Sequence, residues 1–395
     1  MVRFIHTADW QIGFEAREAA EIGDELREAR FETIEKIVEI ALRERVDFLL
    51  VAGDLFESNF VSPRTVQRVL SLLTGLHPTP VYVLPGNHDP YTSSSIYRGK
   101  AWSHAPDHIK LLLEPVETAD ALIVPSPLYQ KNSIEDPSAK ISFPPDKEKI
   151  KIAVLHGSLA IQGMYEHDDF PISPDVAERL GADYVALGHW HSTFRLNDRV
   201  YYPGTPEPTS FSERDSGNVL LVEIDGPGSL PAVKEIGVKT LTWLEKSTEL
   251  HPGRERDLLE ALLEEIRKIP QKHRTLLRIR LAGFADPEFL RDSGKYFEKL
   301  EKDFLHLDVK SEAKLAPDPG EIEKIAAGSL LIKEIMKELL NLKDALAGHQ
   351  GKLSDESERL LERIRKNFGD HPLDLVSSAE EALMLLAELT LSHDT

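Results

Sequence analysis

Short apolar runs rich in Val, Ile and Leu recur along the first half of the chain, each stopping abruptly at polar residues. The runs are 3–6, 48–52, 81–84, 152–155 and 184–187. Their length and composition predict buried β-strands. Between the first two, residues 24–45 repeat apolar positions at helical spacing, with Phe31, Ile34, Ile37, Val38 and Ala41 on one face, which predicts an amphipathic helix. Alternation of this kind up to about residue 237 predicts an α/β layered domain, 1–237. The stretches 201–206 and 219–224 add strand and turn signals expected to close a second sheet against the first.

Beyond residue 237 the pattern changes. Segments 238–244, 254–268, 275–281, 287–304 and 307–314 read as strand, helix, strand, helix, strand, predicting a small α+β cap over 238–316. Pro317-Asp318-Pro319-Gly320 reads as a linker. Residues 317–395 are helical in pattern, with an apolar stripe through Ile322, Ile325, Leu330, Ile332, Ile335, Met336 and Leu339. A tail with such a face beyond a Pro-Gly linker is expected to dock on a partner, the alternative being packing on its own core.

The polar residues that end the strands carry the chemistry. They are Asp9-Trp10-Gln11, Gly53-Asp54, Gly86-Asn87-His88-Asp89, His156, and Gly188-His189-Trp190-His191. If the five strands lay side by side in one sheet, their carboxyl ends would gather these side chains in a single crevice. Two divalent cations about 3.5–4 Å apart need an anionic bridge, and Asp54, behind the Gly53 turn, is the best placed. Asp9, Asp54 and His191 are then expected on one metal, and Asp54, Asn87, His156 and His189 on the other. Imidazole, carboxylate and carboxamide together suit Mn²⁺, Fe²⁺ or Zn²⁺ better than an all-oxygen Mg²⁺ cage. The chemistry expected of such a centre is phosphoester hydrolysis by activated water. His88, one residue beyond Asn87, is expected to face the substrate and protonate the leaving oxygen or steady the phosphoryl group, with Asp89 orienting it. Tyr97 and Arg98 are candidates for a nucleic-acid contact, against a solvated loop as the plain alternative. His6, His77, His104, His108 and His167 receive no role.

These motifs, with Leu55-Phe56 after Asp54 and the sequence Tyr202-Pro203-Gly204-Thr205-Pro206, resemble the calcineurin-like metallophosphoesterases, specifically the SbcD-type DNA repair exonucleases. The resemblance covers roughly the first 225 residues. It implies a two-sheet sandwich flanked by helices, a Mn²⁺-dependent DNA nuclease that is commonly a homodimer, and work alongside an SbcC-like coiled-coil ABC ATPase. The chain departs from the family at Gln11, where that family usually has His. A carboxamide is a weaker ligand than imidazole, so Gln11 is expected to hold the first metal loosely or to act on a metal's water instead.

The formal net charge of −20 argues against a protein that coats nucleic acid nonspecifically. It slightly favours the alternative of a small-molecule or cyclic-nucleotide phosphodiesterase, while Gln11 alone motivates a third reading, a scaffold subunit with a weakened site. The absence of cysteine excludes disulfides and thiolate metal sites. With no apolar run near the roughly 20 residues of a membrane span and no leader pattern before the first strand, a cytoplasmic protein without membrane contact is expected.

Overall fold

The computed structural model describes residues 1–144, 148–161, 169–315 and 359. The expected tail over 317–395, its apolar stripe and its docking role lie outside the described residues apart from Arg359. The chain divides into two compact units, the first formed by Met1–Leu244 with Arg274–Leu276, the second by Glu245–His273 with the residues from Leu277 onward.

In the first unit the strands are β1 (Val2–Thr7), β2 (Phe48–Val51), β3 (Val81–Val83), β4 (Ile109–Leu111), β5 (Val116–Glu117), β6 (Ala121–Pro125), β7 (Ile150–His156), β8 (Tyr184–Gly188), β9 (Phe194–Arg195), β10 (Val200–Tyr202), β11 (Asn218–Ile224) and β12 (Ala232–Gly237). They form two six-stranded sheets, ordered β12-β11-β1-β2-β3-β4 and β5-β6-β7-β8-β10-β9. Strands β1 to β4 run parallel, as do β6, β7, β8 and β10; β11, β12, β5 and β9 pair antiparallel, while β4 ends the first sheet as a parallel edge. The two sheets with their helices make the expected two-sheet sandwich.

Two expectations are corrected here. The five site-bearing strands do not share one sheet: β1, β2 and β3 belong to the first and β7 and β8 to the second. Residues 218–224 also join the first sheet, pairing antiparallel with β1, and only 200–202 extend the second. The β11 side chains Leu220, Val222 and Ile224 face the interior between the sheets, so its apolar pattern fits either sheet equally well.

Alternation along each strand sorts the core into layers. Phe4, Phe48, Leu50, Tyr82, Ile152, Val154 and Tyr184 fill the space between the sheets. Ile5, Leu49 and Val51 point the other way, toward α1 (Gly23–Glu44) and α2 (Pro63–Leu73). Ala153, Leu155, Val185 and Leu187 pack outward with Val176 of α3 (Val176–Leu180). Each fully buried side chain of this size contributes roughly 1.5–3 kcal/mol. Helix α2 starts where Ser62 caps it by accepting from the Thr65 amide, with Pro63 at its first turn. His6 is a core residue: its ring contacts the Tyr184 hydroxyl at 3.0 Å and the Leu187 carbonyl at 3.1 Å, and burial lowers its pKa to about 3.

The second unit carries β15 (His306–Ser311), β16 (Lys314–Leu315), helix α4 (Glu255–Arg267) and the greater part of β13 (Thr242–Leu250) and β14 (Thr275–Ala285), whose residues Thr242–Leu244 and Thr275–Leu276 count with the first. The helix expected over 287–304 is only α5 (Pro287–Asp292), followed by a 3₁₀ turn over Ser293–Tyr296 and further turns. Ser293 and Gly294 weaken helix propagation there, while Phe297, Leu300 and Phe304 bury their side chains without a continuous helix. Among the described residues no helix is long and apolar enough to cross a membrane.

Candidate metal centre

Every motif lies at the end of a strand or just beyond it, and the backbone there is sharply bent. Asp9, Gln11, Asp54 and His189 all have positive φ, at 54°, 50°, 52° and 107°. Non-glycine residues rarely adopt this region, and such conformations concentrate at functional sites. Two glycines explain how the loops come so close. A Cβ on Gly53 would sit 2.0 Å from His156 Nδ1, and one on Gly86 would sit 2.1 Å from Asp54 Oδ1. No side chain fits at either position.

Asp9, Asp54 and His156 are buried and present one ligand atom each within 4.8 Å of one another. Asn87 joins them, its Oδ1 lying 2.8 Å from His156 Nε2 and 3.1 Å from His189 Nδ1. His156 Nε2 is also 3.4 Å from Asp54 Oδ2. The other nitrogen of each ring faces an acceptor: His156 Nδ1 lies 2.9 Å from the Ala52 carbonyl, and His189 Nε2 lies 2.8 Å from Asp169 Oδ2. With those protons donated outward, the inward nitrogens, the Asn87 oxygen and the Asp54 carboxylate are all lone pairs aimed at one another. With both rings neutral, such an acceptor-only cluster is satisfied by a cation or by a bound proton, and outer partners of this kind fix the tautomer that a metal-binding histidine requires. The residues therefore fit a divalent metal.

Electrostatics reports the same demand. Burial raises the pKa of Asp9. For Asp54 burial acts in that direction too, but His156 and His88 outweigh it and hold the carboxyl well below its usual range. Burial alone would lower His156, yet Asp54 and Asp9 raise it to about 9, so a proton is drawn in where the carboxylates lack other compensation. His191 turns Nδ1 to Glu213 Oε1 at 2.7 Å. That carboxylate and Asp9 raise its pKa against the effect of burial.

Gln11, expected as a ligand, is buried and donates its amide N–H to Asp54 Oδ2 at 3.3 Å. In this arrangement it steers the carboxylate expected to bridge.

His88 lies at the edge, one-third exposed, with Nε2 4.0 Å from Asp54 Oδ2. Its Nδ1 donates to the Glu57 carbonyl at 3.0 Å and is 3.6 Å from the Glu57 carboxylate. Glu57, opposed by partial burial and helped by Asp54, raises His88 to about 9, so the ring carries a proton at neutral pH.

The role expected of Asp89 is corrected. Its carboxylate is fully buried and turns away from His88, accepting from the Phe56 amide at 2.9 Å, the Gly86 amide at 2.8 Å and the Tyr97 hydroxyl at 2.5 Å. Asp89 ties the Asp54 loop to the Asn87 loop, and Glu57 does the orienting. Burial, with Asp54 nearby, raises Asp89 to about 7.

Tyr97 is likewise buried, its hydroxyl committed to Asp89 and its ring against Trp102, which removes it from substrate contact. Arg98 is exposed and stacks its guanidinium 4.0 Å from the Tyr91 ring centroid.

Three residues of the site escaped the sequence reading: Glu57, Asp169 and Glu213. Glu57 is three residues beyond Asp54 and Glu213 follows the Tyr202–Pro206 motif closely, so proximity to motifs was a usable signal for both. Asp169 has no such tie, since it enters from a loop remote from any motif.

Residues 2–193 match the family of calcineurin-like phosphoesterases. The protein YhaO of Bacillus subtilis strain 168, described as an uncharacterized metallophosphoesterase, is 25% identical over 244 residues, covering 56% of this chain and 57% of that protein. The chain thus spans little more than half the length of that relative. Among solved structures, TT1561 of Thermus thermophilus shares 14% identity over 60% of this chain and 99% of its own, with a TM-score of 0.39. The calcineurin-like phosphoesterase YfkN from Bacillus subtilis shares 13% over 68% and 99%, with a TM-score of 0.36.

Proposed function

We propose that residues 2–193, which match the calcineurin-like phosphoesterase family, form a metal-dependent phosphoester hydrolase, and that the protein is a Mn²⁺-dependent DNA nuclease. It cleaves phosphodiester bonds at the centre of Asp9, Asp54, Asn87, His156, His189 and His191, as a homodimer working with an SbcC-like ATPase. The observation that carries the hydrolytic reading is the acceptor-only cluster around Asn87 Oδ1. The DNA substrate is supported by the motif resemblance and by the surroundings of the centre. Hollows of about 370 Å³ beside His189 and His191 and about 610 Å³ beside Glu57 share Ser210, leaving room for both substituents of a diester.

Two divalent cations bound there supply charge neutralisation at the phosphoryl oxygens and lower the pKa of water. The chain does the rest. Asp54, steadied by Gln11 and by the His88 amide at 2.9 Å, holds the middle of the cluster. His156 and His189 are kept in one tautomer by Ala52 and Asp169. His88, protonated and aimed by Glu57, donates to the leaving oxygen or braces the phosphoryl group.

The test is hydrolysis by the full chain, stripped with chelator and reloaded with Mn²⁺, of single-stranded DNA, cyclic nucleotides and bis-p-nitrophenyl phosphate. Mn²⁺-restored cleavage of DNA is expected. Turnover of cyclic nucleotides with intact DNA would establish the small-molecule alternative instead.

A further inference from the structure

The larger hollow beside the metal centre has a composition that the hydrolytic chemistry does not explain. Its walls include Phe14, Glu15, Glu57, Thr209, Ser210 and Trp243. Two of these carry buried polar atoms with no hydrogen-bond partner: the Trp243 indole Nε1–H, a donor, and Glu57 Oε2, an acceptor. A buried donor or acceptor left unpaired costs roughly 1–3 kcal/mol, so a native site that keeps one of each is suited to a ligand edge bearing the complementary pair. The aromatic walls are braced. Arg30 lies over the Phe14 ring at 4.9 Å, and Phe211 meets the Trp243 ring edge-on at 4.8 Å.

Position and charge narrow the ligand. Glu57 is the residue that aims His88, and Thr209 and Ser210 adjoin the Thr209–Glu213–His191 chain, so the hollow opens beside the side chains proposed to act on the phosphate. Glu15 and Glu57 make its lining acidic, which repels a second phosphate. What enters is an uncharged, flat, hydrogen-bonding group one sugar away from the phosphate.

We infer that the Phe14–Trp243 hollow is a nucleobase subsite, which receives the base of the nucleotide flanking the scissile phosphate by stacking on the aromatic rings and pairing with Trp243 Nε1–H and Glu57 Oε2. The inference rests on the nuclease reading and names the part of the substrate that the centre grips besides phosphate. Stacking of a base on an aromatic side chain is worth roughly 1–3 kcal/mol, enough to set affinity at a site whose metals recognise any phosphoester.

Tryptophan fluorescence tests this on the Mn²⁺-loaded full chain, with deoxyadenosine 5′-monophosphate as probe and deoxyribose 5-phosphate as its base-free control. The nucleotide is expected to quench saturably and the sugar phosphate is not. Trp243→Phe should abolish the quench, and Phe14→Ala should weaken the affinity about fivefold or more. In a second arm, wild type should cut an oligonucleotide with a base beside the scissile phosphate about fivefold or more better than one with an abasic residue there, and Trp243→Ala should lose that preference. An unchanged quench in Trp243→Phe, or equal binding of the nucleotide and the sugar phosphate, overturns the subsite. If DNA is not cleaved while bis-p-nitrophenyl phosphate is and the Trp243-dependent quench persists, the polymer reading fails and the base subsite stands.

Discussion

Replacing Glu213 with Gln is the most exacting test of how the centre is held. The Glu213 carboxylate serves two N–H donors at once: Oε1 accepts from His191 Nδ1 at 2.7 Å and Oε2 from the Thr209 amide at 2.7 Å. Despite its burial, His191 and Thr209 hold its pKa below the usual carboxylate value, so it is ionised at neutral pH. A carboxamide has one oxygen. If that oxygen stays on the Thr209 amide, the NH₂ group faces His191 Nδ1, which must become an acceptor, and the imidazole proton moves to Nε2, the nitrogen proposed to ligate. If the oxygen turns to His191, the Thr209 N–H is left without an acceptor, at a cost of roughly 1–3 kcal/mol. Loss of an outer partner of a ligating histidine typically weakens metal binding about 10–100-fold, equivalent to roughly 1.4–2.7 kcal/mol. Isothermal titration with Mn²⁺ should show that loss in one of two sites. The half-maximal Mn²⁺ for hydrolysis of bis-p-nitrophenyl phosphate should rise in parallel, with a thermal melt confirming the fold. Unchanged Mn²⁺ affinity in Glu213→Gln would refute both the role of Glu213 and the placing of His191 on a metal.

Asp54→Asn should lose both metals together, because Asp54 is the carboxylate expected to bridge the two proposed sites; elemental analysis showing wild-type stoichiometry would remove it as the bridge. His88→Ala should bind Mn²⁺ normally yet hydrolyse about 10²-fold more slowly, with substrates of good leaving group least affected; a uniform loss across leaving groups points to phosphoryl positioning instead of proton donation. Tyr97→Phe removes one of three donors to the buried Asp89 carboxylate and should destabilise the first unit by roughly 1–3 kcal/mol while leaving KM for DNA unchanged; a raised KM with wild-type stability in chemical denaturation would return Tyr97 to the substrate site.

How far the sequence speaks depends on the kind of interaction. The apolar runs and the polar residues ending them reveal the strands and the candidate ligands, because a buried parallel strand and the loop beyond it are local features. Which sheet a strand joins is not local. Leu220 and Val222 of β11 present the same alternation whether they pair with β1 or close the other sheet. The same limit explains Asp89 and Asp169. Asp89 follows His88 in the chain, but its carboxylate turns away to the Phe56 and Gly86 amides, whereas Asp169 reaches His189 from a loop remote from every motif. Outer partners are set by three-dimensional proximity, and sequence neighbours are a poor guide to it.

The division of the cluster between two sheets gives the chain a built-in check on its own assembly. Asp9, Gln11, Asp54, Asn87 and His88 follow strands of one sheet, whereas His156, His189 and His191 follow strands of the other. One sheet alone holds either Asp9, Asp54 and Asn87 without His156, His189 and His191 or those three histidines without them, and neither half assembles the acceptor-only cluster. The proposed hydrolytic capacity therefore requires both sheets to be docked, since only then does Asn87 meet His156.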